Sequence, residues 1–144
     1  MIFDTTKRNR GGQGFQDCVF DTGTVSGAIQ NNKLINYSST ADYTIASFAL
    51  KQPLTVVRDD VIKLQIQNMT GTAKYCDCYY YAYPQTGRLT FKTNFDGPSF
   101  RNGIVYTVAY DSINIIAFAF GRRLNSFSNV SGDVHVYVND ELII

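Results

Sequence analysis

Residues 61–67 alternate without a fault: Ile62, Leu64 and Ile66 take one side, Lys63, Gln65 and Gln67 the other. That is the period of a strand with one face buried and one face wet. Val134, Val136 and Val138 alternate with His135 and Tyr137 in the same way. These seven-residue-scale patterns place Ile62, Leu64, Ile66, Val134, Val136 and Val138 in the core, and Ile115 with them. Further strands are predicted at 15–20, 25–30, 33–37, 43–50, 54–57, 88–95, 104–110 and 113–120. Asn31-Asn32 suits a two-residue hairpin turn, and Pro53 is expected to end the strand before it. Leu89, Phe91 and Phe95 share a face, whereas 113–120 is apolar on both faces, as in a central strand covered on both sides. Asp59-Asp60 and Asp96-Gly97-Pro98 read as turns. Residues 68–72 read as a loop around Gly71, and 121–132 as polar and irregular. No segment carries a convincing helical period. About eight to ten short strands at this spacing predict an all-β, antiparallel two-sheet sandwich, jelly-roll-like, in one domain over 15–144.

The stretch KYCDCYYYAYP, 74–84, has two unlike faces. Cys76, Cys78, Tyr80 and Ala82 form a small, mostly apolar row fit for the core. Tyr75, Asp77, Tyr79, Tyr81 and Tyr83 form the opposite row, a ladder of amphipathic rings with one carboxylate. Tyrosine can lie half-buried with its hydroxyl in water, so this ladder is a candidate contact surface.

Residues 1–14 read differently, as an extended arm rather than a folded element. Lys7, Arg8 and Arg10 precede Gly11, Gly12 and Gly14, and Met1, Ile2 and Phe3 supply the apolar side chains. Such a segment has little to bury alone. It is therefore expected to be an attachment device, with Met1, Ile2 and Phe3 in a partner's groove and Lys7, Arg8 and Arg10 on its acidic groups. The apolar Leu142, Ile143 and Ile144 also want cover.

Composition adds limits more than assignments. A hydrophobic content of 44% supports a packed core, and a net charge of +1 gives no footprint for nucleic acid. No apolar run is long enough to span a bilayer. The sequence starts without the apolar stretch of a secretory signal, so the three Asn-X-Ser/Thr triplets at Asn36, Asn68 and Asn129 read as chance. Cys18, Cys76 and Cys78 are an odd set, expected to be reduced thiols. With His135 as the one histidine, no zinc site is expected, nor a Cys-His nucleophile pair. No phosphate-binding loop, nucleophile elbow or metalloprotease motif occurs, so neither an enzyme nor a bound cofactor is expected. Sugar binding fits better: Tyr79, Tyr81 and Tyr83 could stack a sugar and Asp77 could fix its hydroxyls.

Three phrases carry a resemblance. They are NYSSTADYTIASFAL at 36–50, LTVVRDDVIKLQI at 54–66, and YYYAYPQTGRLTF at 79–91 followed by YTVAYDSINIIAFAF at 106–120. Over 27–139 the chain resembles a β-sandwich module of bacteriophage fibre and head-associated proteins, especially of phages infecting Bacteroidetes. It departs at Arg58-Asp59-Asp60, where such modules usually place Gly before Asp. The resemblance implies a structural virion protein, assembled in the host cytoplasm as part of an oligomeric particle. Its partners would be other capsid, fibre or tail proteins. It would be an auxiliary or decoration protein of the head, or a small fibre or tail component. The alternative is a carbohydrate-binding module for adhesion to a host-surface glycan.

Overall fold

Alternation along each strand builds two layers here, with one core between them. The computed structural model describes residues 10–144. In chain order the strands are β1 (Cys18–Asp21), β2 (Val25–Gln30), β3 (Lys33–Ser39), β4 (Thr44–Val57), β5 (Val61–Ala73), β6 (Cys76–Tyr83), β7 (Leu89–Phe95), β8 (Ile104–Thr107), β9 (Ser112–Arg122), β10 (Phe127–Val138) and β11 (Glu141–Leu142). A short helix, α1 (Gly97–Asn102), lies between β7 and β8. One sheet runs β1-β2-β3-β10-β5-β8, with β11 also on β10, and the other runs β4-β9-β6-β7. Every pairing is antiparallel. From β3 onward the chain passes between the two sheets, which gives the double-sheet arrangement of a jelly roll. The β1–β2 hairpin widens the first sheet beyond β3. No helix among the described residues is long and apolar enough to cross a membrane.

The predicted core residues face one another as their alternation requires. Ile62, Leu64 and Ile66 stand opposite Val138, Val136 and Val134 across β5 and β10, and all six are buried, as is Ile115. Such burial contributes roughly 1.5–3 kcal/mol per side chain. The opposing sheet adds aromatic rings. Phe120 lies 4.8 Å from Phe48, 5.0 Å from Phe100 and 5.7 Å from Phe127, ring centre to ring centre. Asn31 and Asn32 both take positive φ (51° and 62°), the conformation a tight hairpin turn demands.

Several expectations need correction. β4 does not end at Pro53 but runs 14 residues through it. Its register on β9 skips from Ala49↔Ala117 to Leu54↔Ile115, so the intervening residues bow out and the missing Pro53 N–H leaves no ladder bond broken. Residues 68–72 and 127–132 are strand, not loop. Asn68 (φ 57°), Gly71 (φ 82°) and Asn129 (φ 50°) absorb bulges between β5 and β10. A Cβ at Gly71 would lie 2.3 Å from the Asn129 carbonyl oxygen, so only glycine fits. Bulges scramble the alternation, which is why these stretches read as irregular. Asn36, Asn68 and Asn129 each hold left-handed backbone, which gives these asparagines a conformational role. The Asp96-Gly97-Pro98 break begins α1: the Asp96 carboxylate accepts from Ser99 N at 3.1 Å, an N-cap. The helix then drives Phe100 fully into the core.

The first described residues lie along the outer edge of β4. Gln16 N donates to Ala49 O, Lys51 N to Gly14 O, and Thr55 N to Arg10 O, at 2.8–2.9 Å. Phe15 is fully buried, edge-on to Phe48. A Cβ at Gly11 (φ 82°) would lie 2.1 Å from the Pro53 carbonyl oxygen, so this glycine permits close docking. Arg10 donates to the Asp60 carboxylate of its own chain at 2.9 Å. Met1, Ile2, Phe3, Lys7 and Arg8 lie outside the described residues.

Asp60 is the knot of this end. Its carboxylate also accepts from Val57 N and Asn139 Nδ2, each at 2.9 Å. Burial alone would raise its pKa. The Val57 N–H, the Asn139 amide and the Arg10 guanidinium outweigh it and hold the carboxyl below its usual value.

Two outcomes follow. Leu64→Ala should cost about 2–5 kcal/mol in denaturant unfolding; a loss under about half a kcal/mol would mean the register is wrong. Because the folded pKa of Asp60 is depressed, its stabilisation is present above the ordinary carboxylate value of about 4 and is lost as pH falls below it. Wild type should therefore lose more stability than Asp60→Asn between neutral and acid pH. Parallel losses would contradict the assignment.

Candidate functional site

β6 turns its two faces as its sequence predicts. Cys76, Cys78, Tyr80 and Ala82 are buried in the core. Tyr79 and Tyr81 are half-buried and Tyr83 is exposed on the outer face of the four-stranded sheet. Tyr75 departs from the ladder. It precedes β6 with φ 53°, is exposed, and lines a separate depression with Lys74, Asn94, Phe95 and Asp96.

The outer face is shaped by what β9 lacks. Its outward residues are Ala117, Ala119 and Gly121, each between a β4 and a β6 residue. The rows are Ala49–Ala117–Tyr81, Ser47–Ala119–Tyr79 and Ile45–Gly121–Asp77. Small side chains in the middle strand make a shallow trough beside the β6 tyrosines; Ala117 is half-buried, and Ala119 and Gly121 are covered by their neighbours. The strand is central, as expected, but its outer face is covered by flanking side chains and not by a further layer: Ala119 is buried, whereas Ile116, bulged between rows, is 46% exposed. At one end of the trough, Gln52, Pro53, Thr55, Tyr83, Asn114 and Ile116 line a shallow depression. At the other end, Tyr43, Ile45, Asp77, Tyr79, Arg88 and Arg122 enclose a cleft of about 230 Å³. Tyr79 and Tyr83, four positions apart, are separated by roughly 13 Å at the usual strand rise.

The cleft is organised by Asp77. This carboxylate was expected to face a ligand, yet the residue is only 5% exposed and its oxygens serve its own chain. Asp77 Oδ2 accepts from the Tyr79 hydroxyl at 2.8 Å. Oδ1 accepts from Asn94 N at 3.1 Å and from Arg122 Nη1 at 3.4 Å. Arg122 also donates to Asn94 Oδ1. The carboxylate thus joins β6, β7 and the end of β9. Burial first, then the bond to Asp77, raises the Tyr79 hydroxyl pKa, so the ring stays a neutral donor at ordinary pH. The Arg88 guanidinium lies 4.2 Å over the Tyr79 ring centre, a cation–π contact. A Cβ at Gly121 would sit 1.7 Å from Thr44 O. Glycine there lets β4 close in and brings Tyr43 to the cleft's rim.

The cysteines are free thiols. Cys76 and Cys78 are buried, and burial pushes the Cys76 thiol up to about 12 and the Cys78 thiol well above its ordinary value. Cys76 donates to Ser126 O at 3.2 Å. Both remain protonated packing groups at neutral pH. His135 lies on another strand, its Nδ1 3.0 Å from the Ile144 main-chain oxygen. Among the described residues, no three His, Cys, Asp or Glu side chains form a group that could hold a metal ion.

Comparison with protein-family models, with curated proteins and with solved structures finds no match to the chain.

Structure therefore brings Asp77, Tyr79, Tyr81 and Tyr83 onto one face, separates Tyr75 from them, and places Arg10 elsewhere. Sequence reasoning missed Tyr43, Arg88 and Arg122. Their meeting depends on cross-strand register, for which single-strand periodicity carries no signal. Asp77→Ala removes the acceptor shared by Tyr79, Asn94 and Arg122. It should cost about 2–4 kcal/mol in unfolding free energy, with β6–β7 amides losing hydrogen-exchange protection first. A loss under about half a kcal/mol would show that Asp77 does not organise the face.

Proposed function

We propose that this chain is a non-enzymatic structural component of a bacteriophage virion. It would be an auxiliary or decoration protein of the head, or a small fibre or tail part. It attaches to other virion proteins through the outer face of β4-β9-β6-β7. The observation that carries this reading is the exposed aromatic and aliphatic rim of that face: Tyr43, Tyr83 and Ile116 are exposed and Tyr81 is half-buried, with no further sheet or helix over them among the described residues. Tyrosine gives large contact area with few rotatable bonds and keeps a polar tip, which makes it common at protein contacts. The resemblance over 27–139 to phage fibre and head-associated modules supplies the setting. Residues 1–9 could add to the same attachment, and the particle is assembled in the host cytoplasm.

A second reading, a carbohydrate-binding module for a host-surface glycan, is favoured by one feature: the cleft that combines tyrosine rings with two guanidinium groups. Rings and fixed polar groups together are what a sugar needs.

A mass-spectrometric inventory of purified particles separates the two. On the first reading the chain is a stoichiometric particle component, and Tyr81→Ala with Tyr83→Ala lowers its incorporation about tenfold or more. Absence from particles, with a glycan-array signal that Tyr81→Ala abolishes, would replace the first reading with the second.

A further inference from the structure

Arg88 and Arg122 face the same cleft, and the one acidic group lining it among the described residues is already engaged. Asp77 accepts from Tyr79, Asn94 and Arg122. Arg88 is exposed and has no carboxylate within ion-pair distance among the described residues. Its guanidinium is steadied by the Tyr79 ring, and a stacked guanidinium keeps its in-plane N–H donors available. Arg122 directs one nitrogen to Asp77 and Asn94, which fixes the orientation of the rest of its fork. Two positioned guanidinium groups against one engaged carboxylate leave the cleft with excess positive charge and unused planar donors. That combination recognises a carboxylate in two-pronged fashion.

The backbone is strained at the same place. Left-handed non-glycine residues among the described residues are Asn or Asp except for Gln13, Tyr43, Tyr75 and Arg122. Two of those four line this cleft, Tyr43 at φ 58° and Arg122 at φ 145°. Such strain persists where surroundings impose it and gathers at ligand-holding positions. For Tyr43 the restraint includes its neighbour Asp42, whose carboxylate accepts from Leu124 N at 3.0 Å. The result is a tyrosine ring 80% exposed at the rim, beside the two arginines.

We propose that this cleft binds an acidic sugar residue, its carboxylate held by Arg88 and Arg122 and its ring lying against Tyr43. The proposal rests on the glycan-binding reading and adds the charge class of the glycan. A volume of about 230 Å³ lies below that of sites for drug-sized ligands, so it suits one sugar ring. Further units would continue past the half-buried Ala117 toward Tyr81 and Tyr83. An acidic peptide side chain would use the arginines but leave the Tyr43 ring without a role.

The test is titration of the full chain, followed by calorimetry and by amide shifts. The probes are trigalacturonate and sialyllactose, each with its neutral counterpart, α-1,4-galactotriose and lactose, plus inorganic phosphate and a triglutamate peptide. At least one acidic saccharide should bind about tenfold or more tighter than its neutral counterpart, weaken as salt rises, and shift the amides of Tyr43, Tyr79 and Arg122. Arg88→Gln and Tyr43→Ala, both at exposed positions, should each weaken that binding about tenfold while melting like wild type. Equal affinity for neutral saccharides would overturn the acidic-sugar assignment and leave glycan binding standing. Equal affinity for phosphate or triglutamate, or no effect of either variant, would also overturn it. No binding of any saccharide would remove the glycan reading as well.

Discussion

A carboxylate on the outer face of a sheet normally points into water, where it costs nothing to hold. Asp77 does not. It is closed over by its neighbours and balanced by a tyrosine hydroxyl, a backbone N–H and a guanidinium. A buried charge is tolerable only when its hydrogen-bonding capacity is met. Meeting it here fixes three strands at one end of the four-stranded sheet. Tyr79 is thereby oriented, Arg88 gains a ring to stack on, and Arg122 is held in a backbone conformation it would not choose alone. The cleft at this end of the sheet depends on that one buried acid.

The rest of the face follows from the size of side chains in β9. Phe118 and Phe120 pack inward while Ala117, Ala119 and Gly121 lie outward. Large residues on one side anchor the strand in the core, and small ones on the other let the flanking side chains of β4 and β6 close over it. Gly121 does more, because only glycine allows β4 to approach as closely as it does. Core packing and the shape of the outer face are therefore two sides of one alternating run. At the opposite end of the sandwich Asp60 performs a related task. It joins Arg10, the β4–β5 turn and Asn139 beside β11, and the adjoining residues cover the edge of β4, which protects it from pairing with another chain.

Most of the architecture was legible because strand alternation is a local signal. β5, β10 and the inward row of β6 could be read directly from their side chains. Bulges were not legible. Asn68, Gly71 and Asn129 shift the period by a residue, so true strand reads as loop. α1 escaped because six residues are too few for a helical period, although Asp96 and Pro98 are its cap and first-turn signals. Pro53 misled because an edge strand can carry a proline that a central strand cannot. At the site, the tyrosine ladder was visible and Asp77's burial was not, since two of its three donors come from β7 and β9. Arg88 and Arg122 are far apart in sequence and meet through register alone.

The central claim is that the outer face of β4-β9-β6-β7 makes this protein's contacts. Chemical footprinting of tyrosine side chains measures it directly, comparing the isolated chain with the chain in purified particles or in its bound complex. The account predicts that Tyr43, Tyr81 and Tyr83 react in the isolated protein and are protected in the assembly, with buried Tyr37 unreactive in both. Unchanged reactivity of those three, with new protection along β1 or β8 instead, would contradict it and move the contact to the other sheet.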